Sequence, residues 1–252
     1  MKIELIGCTS AGKSTLLNNM MASHRNGQPE IISGDDFVLR QMYLAWLPHR
    51  IFRVSAINII GIFWCILNCR KQKRLLNFSY EYLRKLPSTI TFRERLKIAR
   101  ILVRNIGIHE FIACQDTTNR IIIIDEGILH IAHYLFVHES IEPDLKQLQT
   151  FIELAPCEDV VVYLCALKKT LIERTRVRGH KRIPDGSLEA IESFINHAIT
   201  TFNFLGGNPK INPKLLLVSP DKEVSMASGK NDSPMVEKAK HIILTGLEEA
   251  SL

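Results

Sequence analysis

The chain has 252 residues, 46% of them hydrophobic and 23% charged, with a formal net charge of +6. Such a length and apolar content bury a proper core without disulfide staples and exclude an outright disordered chain, so one α/β domain carrying an insertion is expected. Cys8, Cys65, Cys69, Cys114, Cys157 and Cys165 show no C-x-x-C spacing, and an apolar strand pattern begins at residue 2 in place of a signal peptide, which points to a reduced, cytoplasmic protein.

Residues 2–6 (KIELI) read as a buried strand, followed by GCTSAGKST and the helical pattern STLLNNMM. The loop fits G-x-x-x-x-G-K-[ST] at Gly7, Gly12, Lys13 and Ser14, and strand, loop, helix is the context this motif needs. Gly7 and Gly12 allow the backbone to turn its amides onto an anion, with Ala11 in the same cradle and the helix dipole behind it. Lys13 reaches the β- and γ-phosphates, the Ser14 hydroxyl ligates Mg²⁺, and Thr15 packs or caps beside them. Nucleotide binding is therefore expected.

A second strand, residues 30–33, ends in SGDDF. One of Asp35 and Asp36 is expected to face the phosphate loop and take a proton from an acceptor hydroxyl, with Asp36 favoured, while the other caps the next helix. Two capping aspartates are the structural alternative.

Residues 37–118 read as a helical insertion. From 40 to 104 it carries fourteen Lys or Arg against Glu81 and Glu94, a surplus of twelve that leaves −6 for the rest of the chain. Such a block suits an anionic partner (a phosphorylated substrate, a nucleic acid or a membrane surface) or is a solvated face. Within it VSAINIIGIFWCILNC, residues 54–69, falls short of the ~20 residues that cross a bilayer. A buried helix is expected ahead of an interfacial segment. Cys65 and Cys69, one turn apart, read as core thiols rather than metal ligands. Thr91 and Glu94 form a capping box for a helix whose inner face holds Leu96, Ala99, Leu102, Val103 and Ile106.

The third strand, residues 120–124, runs into IIIIDEG. Its form is that of a Walker B element: Asp125 beside the Ser14 hydroxyl to hold Mg²⁺, Glu126 as base or acceptor contact, Gly127 for a close approach or strained turn. His130 and His133, three apart on a helix, read as packing residues ahead of a shared metal. A helix follows in EPDLKQLQTFIEL, with Pro143 near its first turn. After the fourth strand, residues 159–164, comes a lid at 167–187. There Arg174 and Arg178 share a helix face, with Arg176 turned away and Arg182 beyond Gly179. These guanidinium groups suit the transferring phosphoryl oxygens, as an arginine finger supplied in cis. A helix in SLEAIESFINHAITTFNFL, a fifth strand at 215–218, a polar loop at 219–235 and a closing helix at 236–250 complete the chain. The alternation predicts a parallel sheet with helices on both faces and a site at the carboxyl ends of the strands.

GCTSAGKST, SGDDF, IIIIDEG and LIERTRVRG, in this order, resemble the P-loop kinases of small molecules, the superfamily of thymidylate, nucleoside and related kinases. The DEG followed by ILHIAHYLF is most similar to thymidylate kinase-like proteins. The resemblance covers roughly residues 1–36 and 119–218. It implies a three-layer fold with a five-stranded parallel sheet of order 2-3-1-4-5, ATP and Mg²⁺ as donor, and an R-x-x-x-R lid matched by Arg174 and Arg178. Where thymidylate kinases place an arginine after the third-strand aspartate, this chain has Glu126, which suits a hydroxyl acceptor unless arginines of the insertion hold a phosphate. ATP rather than GTP rests on the resemblance alone. The function expected is phosphoryl transfer to a small acceptor such as a nucleoside, nucleotide or sugar. The alternatives are a P-loop ATPase or switch that binds nucleic acid or protein through the basic insertion, and a kinase of a membrane-linked acceptor touching residues 54–69.

Overall fold

The computed structural model describes residues 1–22, 29–180, 182–183, 186–219 and 224–226, with Ala239, His241 and Ile243 beyond them. The apolar runs form the strands β1 (Lys2–Gly7), β2 (Glu30–Ser33), β3 (Arg120–Asp125), β4 (Val160–Leu164) and β5 (Leu215–Val218). All five are parallel, in the order β2-β3-β1-β4-β5, as the resemblance implied. A short strand, β6 (Val224–Met226), adds an antiparallel edge to β5 inside the segment expected to be a loop. The rest of that loop lies outside the described residues. So does the expected closing helix, apart from Ala239, His241 and Ile243, which are helical.

The two-residue period of the strands sorts side chains between the faces. Ile3, Leu5, Ile121 and Ile123 meet Leu16, Leu17 and Met20 of α1 (Lys13–Ala22) on one face. On the other, Ile122 and Ile124 meet Phe37 and Val38 of α2 (Gly34–Gln41) together with the insertion helices α3 (Arg50–Leu67) and α5 (Phe92–Ala113). On that same side Ile6 joins a core built from α4 (Lys73–Lys85), α6 (Ile131–Phe136), α7 (Leu145–Leu154) and α9 (Leu188–Gly207). Strand register then places the functional ends together: Leu5 lies beside Asp125, Gly7 beside Leu164 and Ser33 beside Ile123.

Side-chain caps set the helix starts. Ser33, Thr91, Asp144 and Ser187 accept from the amides of Asp36, Glu94, Gln147 and Ala190. Pro143 accordingly stands before the Asp144 cap and outside α7. Helix α3 crosses α5 at a glycine contact: a Cβ on Gly107 would lie 1.7 Å from the Gly61 carbonyl oxygen.

The expected burial of residues 54–69 is met along only one stripe. Ile57, Ile60, Gly61 and Cys65 are buried, while Phe52, Ile59, Phe63, Ile66 and Leu67 are exposed. By length and composition α3 reaches the scale of a membrane-crossing helix. Cys69 is exposed and so is no core thiol. Leu96 is exposed too; Ile98, Leu102 and Ile106 form the inner face of α5, because the helix rotates its Arg95 onto the carbonyls of Leu83, Leu86 and Ile90.

Candidate active site

The loop between β1 and α1 has the conformation its glycines allow. Gly7 adopts φ 146° and Gly12 φ 99°, values disfavoured for a side chain, and a Cβ on Gly7 would come 2.8 Å from the Leu164 carbonyl oxygen. The Lys13 ammonium is buried and donates to the carbonyls of Gly7 (3.0 Å) and Cys8 (3.2 Å). Burial lowers its pKa, and the carboxylates of Glu126 and Asp125 oppose that fall. The Ala11 amide donates to the Cys8 carbonyl, tightening the loop. Thr15 is exposed in the first turn of α1 and does not pack.

Ser14 and Asp125, 111 residues apart in the chain, meet as expected: the Ser14 hydroxyl donates to Asp125 Oδ2 at 3.1 Å. Asp125 Oδ1 is buried without a hydrogen-bond partner. Burial, then the neighbouring Glu126 charge, raises the Asp125 pKa. An unpartnered carboxylate oxygen beside a hydroxyl at a phosphate loop fits Mg²⁺, which takes one or two protein oxygens and completes its shell with phosphate and water. Among the described residues no cluster of three His, Cys, Asp or Glu makes a self-sufficient metal cage.

The two aspartates after β2 exchange their expected roles. Both lie in the first turn of α2, not in extended chain, because Ser33 caps the helix. Asp36 bonds back to that cap, accepting from Ser33 Oγ at 2.7 Å, and pairs with Arg53. Asp35 is the one that lines the cavity at the strand ends, where Arg104 of α5 grips both its oxygens at 2.7 and 2.8 Å. Its side chain is half exposed, yet burial, with Asp36 adding to it, outweighs Arg104 and raises its pKa.

That cavity, about 380 Å³, is lined by Ser14, Asp125 and Glu126 from the sheet side and by Asp35, Arg50 and Arg104 from α2 and the insertion. Glu126 sits at φ 61°, a left-handed conformation rare for a residue with a side chain. The next residue shows why the turn is so tight: a Cβ on Gly127 would lie 2.6 Å from Glu4 Cδ. The Glu126 carboxylate accepts from the Tyr134 hydroxyl at 2.8 Å. Burial pushes its pKa up, but His130, Lys13, the Tyr134 hydroxyl and Arg104 together hold it below the usual value. His130 itself is fully buried and neutral, its pKa pushed down to about 3, so Lys13, Tyr134 and Arg104 are the partners that remain at neutral pH. Asn105 supports the same turn, donating to the carbonyls of Glu126 (2.6 Å) and Gly127 (3.2 Å).

Helix α8 (Lys168–Arg178), in the segment expected to be a lid, reaches the loop between β1 and α1. Arg174 is 3.4 Å from the Ser10 carbonyl oxygen and the Thr175 hydroxyl donates to Ser10 Oγ at 3.3 Å. Arg178 is exposed one turn on and lies near enough to Lys13 to depress its pKa. Arg182 is structural: its nearly buried guanidinium pairs with Glu94 and donates to the carbonyls of His133, Tyr134 and Val137. His133 is buried and stacks on Phe202, which fits the packing role expected of it and of His130.

Sequence reasoning missed Arg104, Asn105 and Tyr134 as parts of this site. Arg104 and Asn105 did leave a trace, as a polar pair inside the apolar run ILVRNIGI. Tyr134 left none.

No family model and no curated protein matches the chain. Among solved structures it is similar to deoxyadenosine kinase from M. mycoides with the products dCMP and a flexible dCDP bound (16% identity, 99% of this chain and 100% of that one, TM-score 0.46). It is also similar to the same enzyme with dCTP (13%, 99% and 100%, 0.41) and with dATP (14%, 98% and 100%, 0.42). At TM-scores below 0.5 these likenesses decide nothing about the site.

Proposed function

We propose that the protein is an ATP- and Mg²⁺-dependent phosphotransferase acting on a small, hydroxyl-bearing acceptor held in the cavity between the strand ends and the insertion. The observation that carries this reading is the meeting of three things at one place: the phosphate loop, the Ser14–Asp125 pair with its unpartnered carboxylate oxygen, and an acidic cavity walled by arginines.

Gly7, Ala11, Gly12, Lys13 and Ser14 hold the donor phosphates, with the Lys13 ammonium exchanging loop carbonyls for phosphate oxygens. Ser14 and Asp125 would hold Mg²⁺, which supplies neutralisation of charge on the phosphates. The acceptor oxygen attacks the γ-phosphorus, the bond to the β–γ bridging oxygen breaks, and the hydroxyl proton passes to a cavity carboxylate. Asp35 fits that task better than Glu126 or Asp36. A base works best with a pKa drawn toward neutrality, and burial shifts Asp35 up, whereas Asp36 is tied to Ser33 Oγ and Arg53 and Glu126 accepts from the Tyr134 hydroxyl. Glu126, fixed by Tyr134, orients the acceptor and Lys13. Arg174 and Arg178 lie on the lid for the charge that develops on the phosphoryl oxygens.

Transfer from γ-labelled ATP with Mg²⁺, run against nucleosides, nucleoside monophosphates, sugars and polyprenols with water as background, tests the reading. A labelled product from one acceptor class supports it and names the class. Hydrolysis alone, stimulated by nucleic acid, would replace it with a P-loop ATPase.

A further inference from the structure

Helix α3 is apolar around nearly its whole circumference, yet only half of it is packed. Its inner stripe, Ile57, Ile60, Gly61 and Cys65, is buried, with the glycine contact to α5 at its centre. Its outer face carries Phe52, Ile59, Phe63, Ile66 and Leu67, each between 56% and 68% exposed. Their spacing of seven, four, three and one residues keeps them on one side of the helix, over about 22 Å of its length. A contiguous apolar strip of this kind marks a surface that another phase or molecule covers.

The charge around the strip identifies the cover. Between Asp36 and Glu81 the chain contains no acidic residue, while Arg50 precedes the strip and Arg70, Lys73 and Arg74 follow it, all exposed and without an ion pair among the described residues. Helices α3 and α4 both begin with basic residues and have no acid in the first turn, against the preference of the helix dipole. A second copy laid on this face, parallel or antiparallel, would bring basic ends against basic ends. An anionic surface meets no such repulsion and relieves the one at each helix start.

We propose that the outer face of α3 seats the protein on an anionic lipid surface, with the helix lying in the interface and its basic ends at the headgroups. Crossing is incompatible with the inner stripe, which α5 occupies. The proposal does not depend on the phosphotransferase reading.

Flotation of the full chain with vesicles of phosphatidylcholine alone, or with three parts in ten of phosphatidylglycerol, tests it. The protein should float with the anionic vesicles, not with the neutral ones, and be released as salt is raised. Ile59→Glu with Phe63→Glu should lower the partition at least about ten-fold, because two charges replace the centre of the strip. Arg70→Gln, Lys73→Gln and Arg74→Gln together leave the strip intact and should lower it by about two orders of magnitude on anionic vesicles. Thermal melts check that each variant folds. Absence of flotation on anionic vesicles, equal flotation on neutral ones, or flotation unchanged in the glutamine variant would overturn the proposal. So would a parent dimer in sedimentation that the glutamate variant splits without any loss of flotation, since the strip would then be a self-association face.

Discussion

Replacing Asp35 and Asp36 by asparagine, one at a time, separates the proposed base from its capping neighbour at adjacent positions. Asp35→Asn keeps the volume and a hydrogen-bond acceptor for Arg104, but the amide cannot take a proton. Losing a general base costs about 10²–10⁴ in turnover, equivalent to ~3–5 kcal/mol of transition-state stabilisation. Asp36→Asn keeps the acceptor for Ser33 Oγ and loses only the charge that pairs with Arg53, where both side chains are more than a quarter exposed. An ion pair of that exposure is worth about 0–1 kcal/mol of stability. Turnover of the Asp36→Asn variant should therefore stay within about three-fold of the parent. The assay is initial-rate transfer to whichever acceptor the labelled-ATP panel identifies, measured from pH 4 upward, with thermal melts of both variants. The parent's kcat should fall on the acid side with an apparent pKa above the usual ~3.9 of aspartate, and that limb should vanish in Asp35→Asn. Equal losses in the two variants, or full turnover in Asp35→Asn, would refute the assignment.

The glycine contact predicts a stability effect: Gly107→Ala puts a methyl 1.7 Å from the Gly61 carbonyl oxygen, so α3 and α5 must separate, and denaturant unfolding should show a loss of about 1–3 kcal/mol or more. Glu4 is fully buried, accepts from the His130 amide, and has its pKa raised by burial from 4.5 to about 8. The folded state thus keeps a proton that the unfolded chain has released. Stability is fully present below pH ~4.5 and is lost as pH rises toward about 8, by up to ~1.4 kcal/mol per pH unit. Denaturant midpoints of Glu4→Gln measured across this range should lack that slope. Tyr134→Phe deletes the 2.8 Å bond to Glu126 and should lower kcat/KM several-fold, with an unchanged melting temperature as the control. Arg174→Ala should reduce turnover more than nucleotide affinity in parallel kinetic and binding titrations, because the proposed function assigns it to charge formed in the transition state. A pure affinity loss would make it a ground-state binder.

Local chemistry made much of the protein legible from its residues alone. The five parallel strands are short β-branched or leucine-rich runs bounded by polar turns. The glycine loop read as phosphate-binding is a contiguous motif, and Asp125 is delivered to Ser14 by strand adjacency once the sheet order is set. The caps at Ser33, Thr91, Asp144 and Ser187 are equally local, yet one of them overturned a reading: by starting α2 at Gly34, Ser33 turned Asp35 rather than Asp36 toward the cavity. What remained hidden depends on pairs distant in sequence. Arg104 meets Asp35 across 69 residues, and Asn105 meets Glu126 across 21; no periodicity encodes such meetings. The outer face of α3 was hidden for a different reason. An all-apolar helix has the same sequence whether both of its sides are buried or only one, and only the tertiary packing, with α5 on a single side, decides which hydrophobic residues are left facing out.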